Sequence, residues 1–119
     1  MFNFEKLEVW QKSVAFAELV YDVTQSFPPD ERFGLTSQIR RAAVSVPSNI
    51  AEGSARPPAD FIKFLTYSSG SLFEVITQAT IAKNQRFLAA QDCQRLLDSA
   101  AEISRMLSGL RTALAKQTA

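Results

Sequence analysis

Apolar residues spaced three and four apart, cut at intervals by prolines, constrain this chain more than any other feature. Leu7, Trp10, Val14, Ala17, Tyr21 and Thr24 form an unbroken heptad-type stripe, the pattern of an amphipathic helix. Val9, Phe16, Val20, Val23 and Phe27 form a second stripe on the same segment and widen the apolar arc beyond what one neighbouring helix covers. Two contacting surfaces are expected. Pro28-Pro29 closes the segment, since proline supplies no backbone donor and pushes the residue before it out of the α region.

The second segment is expected to start at either Asp30 or Thr36, both good N-caps, with Gly34 between them. Leu35, Ile39, Ala43, Val46 and Ile50 line one face; Gln38, Arg41, Ser45, Ser48, Asn49, Glu52 and Arg56 gather on the other. Pro47 should kink this helix and not end it, because the apolar spacing continues to Ile50. The clearest turn is Gly53-Ser54-Ala55-Arg56-Pro57-Pro58, whose prolines suit the first positions of a third helix beginning near Ala59. That helix is the most apolar of the four, and its small run Ser68-Ser69-Gly70-Ser71 suits a close helix approach. After a connection around Asn84 to Ala90, Cys93, Leu96, Ala100, Ile103, Leu107, Leu110 and Leu114 complete a fourth heptad stripe.

Four helices of about 20 to 27 residues with short connections read as an all-α, antiparallel up-down-up-down four-helix bundle. With 119 residues there is room for a single domain, residues 1–119. The chain has no histidine and one cysteine, so it cannot build a Ser-His-Asp or Cys-His site, a Cys/His zinc cage or an intrachain disulfide. Without a Glu-x-x-His pair a di-iron carboxylate centre has no ligands, and neither a metal nor a cofactor is expected. Cys93 sits on an apolar stripe, where a thiol behaves as a small hydrophobe. No segment reaches the length of apolar sequence a membrane span needs, and no secretory signal opens the chain, so a cytoplasmic setting without a membrane partner is expected.

Three runs together carry a family resemblance. They are Phe4-Glu5-Lys6-Leu7-Glu8-Val9-Trp10-Gln11-Lys12-Ser13, the long run from Phe33-Gly34-Leu35 through Gln38-Ile39-Arg40-Arg41-Ala42-Ala43 to Asn49-Ile50-Ala51-Glu52-Gly53, and Asp60-Phe61-Ile62-Lys63-Phe64-Leu65. The chain resembles the small bundle proteins encoded in intervening sequences of bacterial 23S ribosomal RNA genes. The resemblance implies a ring-like homopentamer with no established enzymatic activity. Related members are similar to the accessory proteins of diversity-generating retroelements, which are pentameric, basic and thought to bind a reverse transcriptase and nucleic acid. This chain departs from that branch in charge, at a net +1, and carries Pro57-Pro58 where relatives often have a polar helix cap.

The leading expectation is a non-enzymatic, self-assembling scaffold or adaptor with RNA or a ribonucleoprotein as partner; the alternative is a module that binds a protein partner, such as a reverse transcriptase, without touching nucleic acid. An enzyme built from carboxylates and arginines alone finds no convergent motif. Candidate nucleic-acid contacts are Arg40, Arg41, Arg56, Lys63, Arg111 and Lys116, the last four at the bundle end where Lys6 and Lys12 also fall and a positive excess collects. The competing reading of Arg41 pairs it with Glu52 or with a carboxylate of a neighbouring subunit. Candidate subunit-interface residues are Val9, Phe16, Val20, Phe61, Phe64 and Phe73; Trp10 and the phenylalanines are otherwise expected to pack and not to stack on bases.

Overall fold

A computed structural model describes residues 1–118 and contains four α-helices: α1 (Glu8–Val23), α2 (Leu35–Ser54), α3 (Pro58–Asn84) and α4 (Ala90–Thr118). Short 3-10 turns at Asn3–Lys6, Thr24–Ser26 and Pro29–Glu31 fill the remaining connections. Consecutive helices pack side by side, α4 returns to close against α1, and the bundle measures 48 × 23 × 20 Å. Contacts along each seam run in opposite chain directions. Arg40 at the start of α2 reaches Thr24 at the end of α1, while Ser45 and Gly53 of α2 meet Ser71 and Phe64 of α3. Cys93 of α4 lies against Ala79, and Lys12 of α1 against Glu102.

The helix boundaries follow from where backbone groups find partners. α2 begins at Leu35, between the two expected starts, and its cap is neither Asp30 nor Thr36: the Glu31 carboxylate accepts the Leu35 N–H at 3.1 Å. The helix then runs through Pro47 without ending. α3 starts with Pro58 in its first turn, where the missing N–H costs nothing. It ends in a Schellman motif: the Phe87 N–H donates to the Ala82 carbonyl at 2.8 Å and the Arg86 N–H to the Lys83 carbonyl at 3.0 Å. Arg86 occupies the left-handed position of that motif, φ 67°, which glycine usually fills. The connection it makes carries Phe87 and buried Leu88 back to the core, Phe87 meeting Phe27 at 6.2 Å between ring centroids.

The two stripes of α1 exchange their expected roles. Val9, Phe16 and Val20, expected to face a neighbouring subunit, are buried in the core of a single chain, together with Val23 and Phe27. Of the other stripe, Ala17 and Thr24 are buried, Trp10 and Val14 lie half-buried along the seam with α2, and Tyr21 stays 43% exposed. The stripes stand about 100° apart on a helix, so only one can face the bundle axis. The orientation found puts Phe16 on the axis and lets Lys12 reach α4. Phe61 of α3 is also buried, packed with Phe64 over Gly53, so it too is lost as an interface candidate.

α2 and α3 approach most closely at Gly53. A Cβ added there would lie 2.6 Å from the Phe64 Cβ and 3.0 Å from Phe61 Cδ1. Among the small residues of α3, the serines do enter the seams: Ser68 donates to the Val46 carbonyl at 2.8 Å and Ser71 to Ser45 Oγ at 2.9 Å. Gly70 instead faces open space. Gly53→Ala is expected to destabilise by about 1–3 kcal/mol, as overpacking of a rigid seam does. Gly109→Ala, at an exposed α4 position with nothing within 4 Å, is expected to stabilise by roughly 0.5–1 kcal/mol. Thermal melts of the two variants check both signs.

Candidate functional site

The six basic candidates divide into two groups. Arg40 is fastened inside the chain: its Nε donates to Thr24 Oγ1 at 2.9 Å, an Nη reaches the Tyr21 carbonyl at 3.4 Å, and its guanidinium lies 4.7 Å from the Tyr21 ring centroid. Thr24 Oγ1 in turn donates to the Val20 carbonyl, so the cluster ties the end of α1 to α2. Arg111 donates to Ser69 Oγ at 2.8 Å across the α3–α4 seam. Arg56 lies over the Phe64 ring at 4.7 Å and 3.7 Å from a Glu52 oxygen. Arg41, Lys63 and Lys116 are exposed and form no ion pair among the described residues. The expected Arg41–Glu52 pair is absent, because Glu52 turns to Arg56 one turn away on the same helix.

Lys12, expected at the basic end, is likewise occupied. Its Nζ stands 2.8 Å from Glu102 of α4, a contact that lowers the Glu102 carboxyl below its ordinary value and raises the Lys12 ammonium above its own. The hydrogen bond between the two is the larger cause in each case, with charge attraction second.

Two grooves flank α2. The first lies between α1 and α2, has a volume of about 410 Å³, and is walled by Phe4, Trp10, Val14, Tyr21, Val44 and Pro47, with Glu18 and Ser48 also lining it. Phe4 packs edge-on to Trp10 at 5.2 Å between centroids and so builds one end of it. The second lies between α2 and α3, measures about 430 Å³, and is polar: Gln38, Arg41, Ser45, Ser71, Glu74 and Gln78 line it with Ala42. Ser45 Oγ accepts from both Asn49 Nδ2 and Ser71 Oγ at 2.9 Å, which fixes that part of the groove. Gln78 Oε1 is buried without a hydrogen-bond partner, a state that costs about 1–3 kcal/mol. Beyond the polar groove, α3 exposes a ridge of Gly70, Phe73, Thr77 and Ile81, with Phe73 54% and Ile81 46% accessible. Phe73 is the one interface candidate left open; Phe64 is half-buried against Gly53 and edge-on to Tyr67 at 5.6 Å.

The model of the 23S rRNA-intervening sequence protein family matches residues 5–109, nearly the whole bundle. The chain belongs to that family. A crystal structure described as a protein of unknown function from the S23 ribosomal protein family of Bacteroides thetaiotaomicron VPI-5482 has the same fold, with a TM-score of 0.79 over 87% of this chain and 97% of that one. At 21% identity the likeness speaks for the architecture alone. No match is found among curated proteins. Neither the family nor the structural neighbour carries an established function, and no enzymatic family is indicated.

Sequence reasoning found Arg41 but missed the wall opposite it. Ser71, Glu74 and Gln78 recur at helical spacing on α3 and were hidden inside a segment whose apolar content dominates. It also missed that Tyr21 and Val44 stay on the surface. No group of three or more metal-ligating side chains converges among the described residues, and no helix there is long and apolar enough to cross a membrane.

Two measurements test these assignments. Arg40→Ala is expected to destabilise the bundle by about 1–2 kcal/mol, through the lost hydrogen bond and cation–π contact, as read by chemical denaturation. The Lys12–Glu102 contact carries a pH dependence of definite sign. Because the Glu102 pKa is lower in the folded chain, its contribution is complete above the ordinary value of 4.5 and is lost as pH falls through the lowered one. At the alkaline side the raised Lys12 pKa preserves the contact through 10.5, and the contribution is lost as pH rises through the raised value. Lys12→Gln should return the Glu102 carboxyl to its ordinary titration, measured by carboxyl-carbon NMR.

Proposed function

We propose that this protein is a non-enzymatic, self-assembling bundle that serves as a scaffold or adaptor, with copies joined into a ring through apolar surface the single chain leaves uncovered. One observation carries the reading: the leftover apolar surface falls in two unlike places, a groove between α1 and α2 and a ridge on α3. Unlike surfaces cannot satisfy each other by a two-fold contact. They pair head to tail, groove on ridge, and such contacts close into rings when the rotation allows. The pentamer implied by the family resemblance is a ring of this kind. An RNA or ribonucleoprotein partner is supported by Arg41, Lys63 and Lys116, which remain free to meet phosphate, and by membership of a family named for a ribosomal RNA gene. With three of the six basic candidates bound inside the chain, that contact would be modest and local, not a broad electrostatic grip.

Native mass spectrometry of the parent chain, Val44→Glu, Phe73→Glu and an equimolar mixture of the two variants tests the assembly. The parent is expected as a closed oligomer and each variant as a monomer. The mixture is expected to yield a one-to-one dimer, since Val44→Glu keeps the ridge and Phe73→Glu keeps the groove. A monomeric parent, or a mixture that never pairs, overturns the head-to-tail reading. Nucleic acid retained by the parent at low salt, and lost in an Arg41/Lys63/Lys116 alanine triple variant, identifies RNA as the partner; retention by the triple variant removes these residues from the contact.

A further inference from the structure

The polar groove between α2 and α3 has an arrangement that packing alone does not explain. One wall carries Glu74 and Gln78, one helical turn apart on α3 and therefore on the same face. The opposite wall carries Arg41. Neither Arg41 nor Glu74 forms an ion pair among the described residues, although both line the same cavity. Gln78 Oε1, by contrast, is buried and unpartnered. The groove thus offers two neighbouring acceptors on one side, one of them already stripped of water, and a free cation on the other.

A ligand that fits must present adjacent N–H donors to Glu74 and Gln78 and an anion to Arg41. Among the common nucleobases, guanine alone places two donors side by side, N1–H and the N2 amino group. Adenine and cytosine place a ring acceptor beside their amino group, and uracil flanks its single N–H with two carbonyls. A carboxylate facing any of those three meets a lone pair as well as a donor, whereas facing guanine it accepts two hydrogen bonds at once. The second N2 hydrogen remains for Gln78 Oε1. Phosphate left at the mouth of the groove suits the planar guanidinium of exposed Arg41. A volume of about 430 Å³ is large enough for a nucleotide. We infer that this groove binds a guanine nucleotide, with Glu74 and Gln78 reading the base edge and Arg41 holding the phosphate.

The same chemistry comes from two sources, a free nucleotide or a guanosine within a single-stranded RNA, and the test separates them. The inference stands apart from self-assembly, because every residue of the groove belongs to one chain. The probes are GMP, IMP, AMP and a single-stranded RNA tetranucleotide carrying one guanine, titrated into the parent chain while the side-chain amide of Gln78 is followed by NMR. GMP is expected to shift that amide and to bind about tenfold more tightly than IMP, which lacks the 2-amino group; AMP should bind weaker still. Glu74→Gln is expected to lower GMP affinity about tenfold or more, and Arg41→Ala to remove the advantage of GMP over guanosine. Val44→Glu, placed on the other groove, should bind GMP as the parent does even where it no longer assembles. Tighter binding of the tetranucleotide than of GMP assigns the site to RNA; equal or weaker binding assigns it to the free nucleotide. Equal affinity for GMP, IMP and AMP, or an unmoved Gln78 amide at millimolar GMP, overturns the inference.

Discussion

The close approach of α2 and α3 at Gly53 sets the geometry of the rest of the chain. With no Cβ on Gly53, Phe61 and Phe64 lie directly on the α2 backbone, and Ser68 and Ser71 continue the contact farther along the seam with hydroxyl bonds to Val46 and Ser45. Side-chain hydroxyls in place of larger apolar groups hold the two helices at short range and keep the outer part of the seam polar. The polar groove is a product of that choice: Ser45 and Ser71 satisfy one another there, and the longer side chains of Gln38, Arg41, Glu74 and Gln78 stand around them. The other seams are filled by larger residues, and the α1–α2 groove is accordingly apolar.

Helix number, order and approximate boundaries were legible because the relevant signals are local. Prolines at 28, 29, 57 and 58 and a spacing of three and four need no knowledge of the partner helix. The direction in which α1 faces was not legible. Its two stripes are equally apolar, and the choice between them is made by residues far away in sequence, Glu102 reached by Lys12 and Arg40 reaching Thr24. For the same reason four interface candidates proved to be core: a sequence shows that an arc is too wide for one neighbour, but not that two neighbours in the same chain share it.

The basic candidates show a similar limit. A count of positive residues treats Arg40, Arg41 and Arg111 alike, yet folding binds the first and last to α1 and α3 and leaves only Arg41 in a cavity. What separates them is the angular position on the helix: Arg40 and Arg41 leave α2 about 100° apart, so one falls on the α1 seam and the other on the α3 seam. The reading of helix faces from sequence put Arg41 with Ser45 and Asn49 correctly, and failed only to supply the α3 residues across from them.

Among the described residues, the ion pair that joins two different helices is Lys12–Glu102, between α1 and α4; the others lie within one helix. On its other flank α1 is tied to α2 by the Arg40 cluster, again through a cation. The remaining seams rely on apolar packing and neutral hydroxyls, with Arg111 on Ser69 the exception. Dissolved salt screens exposed charges and leaves buried apolar contacts intact. Ionic strength therefore acts unevenly on this bundle: it loosens the first helix while the α2–α3 pair keeps its grip, and the α1–α2 groove, walled on one side by that helix, is the surface whose shape follows the salt concentration around it.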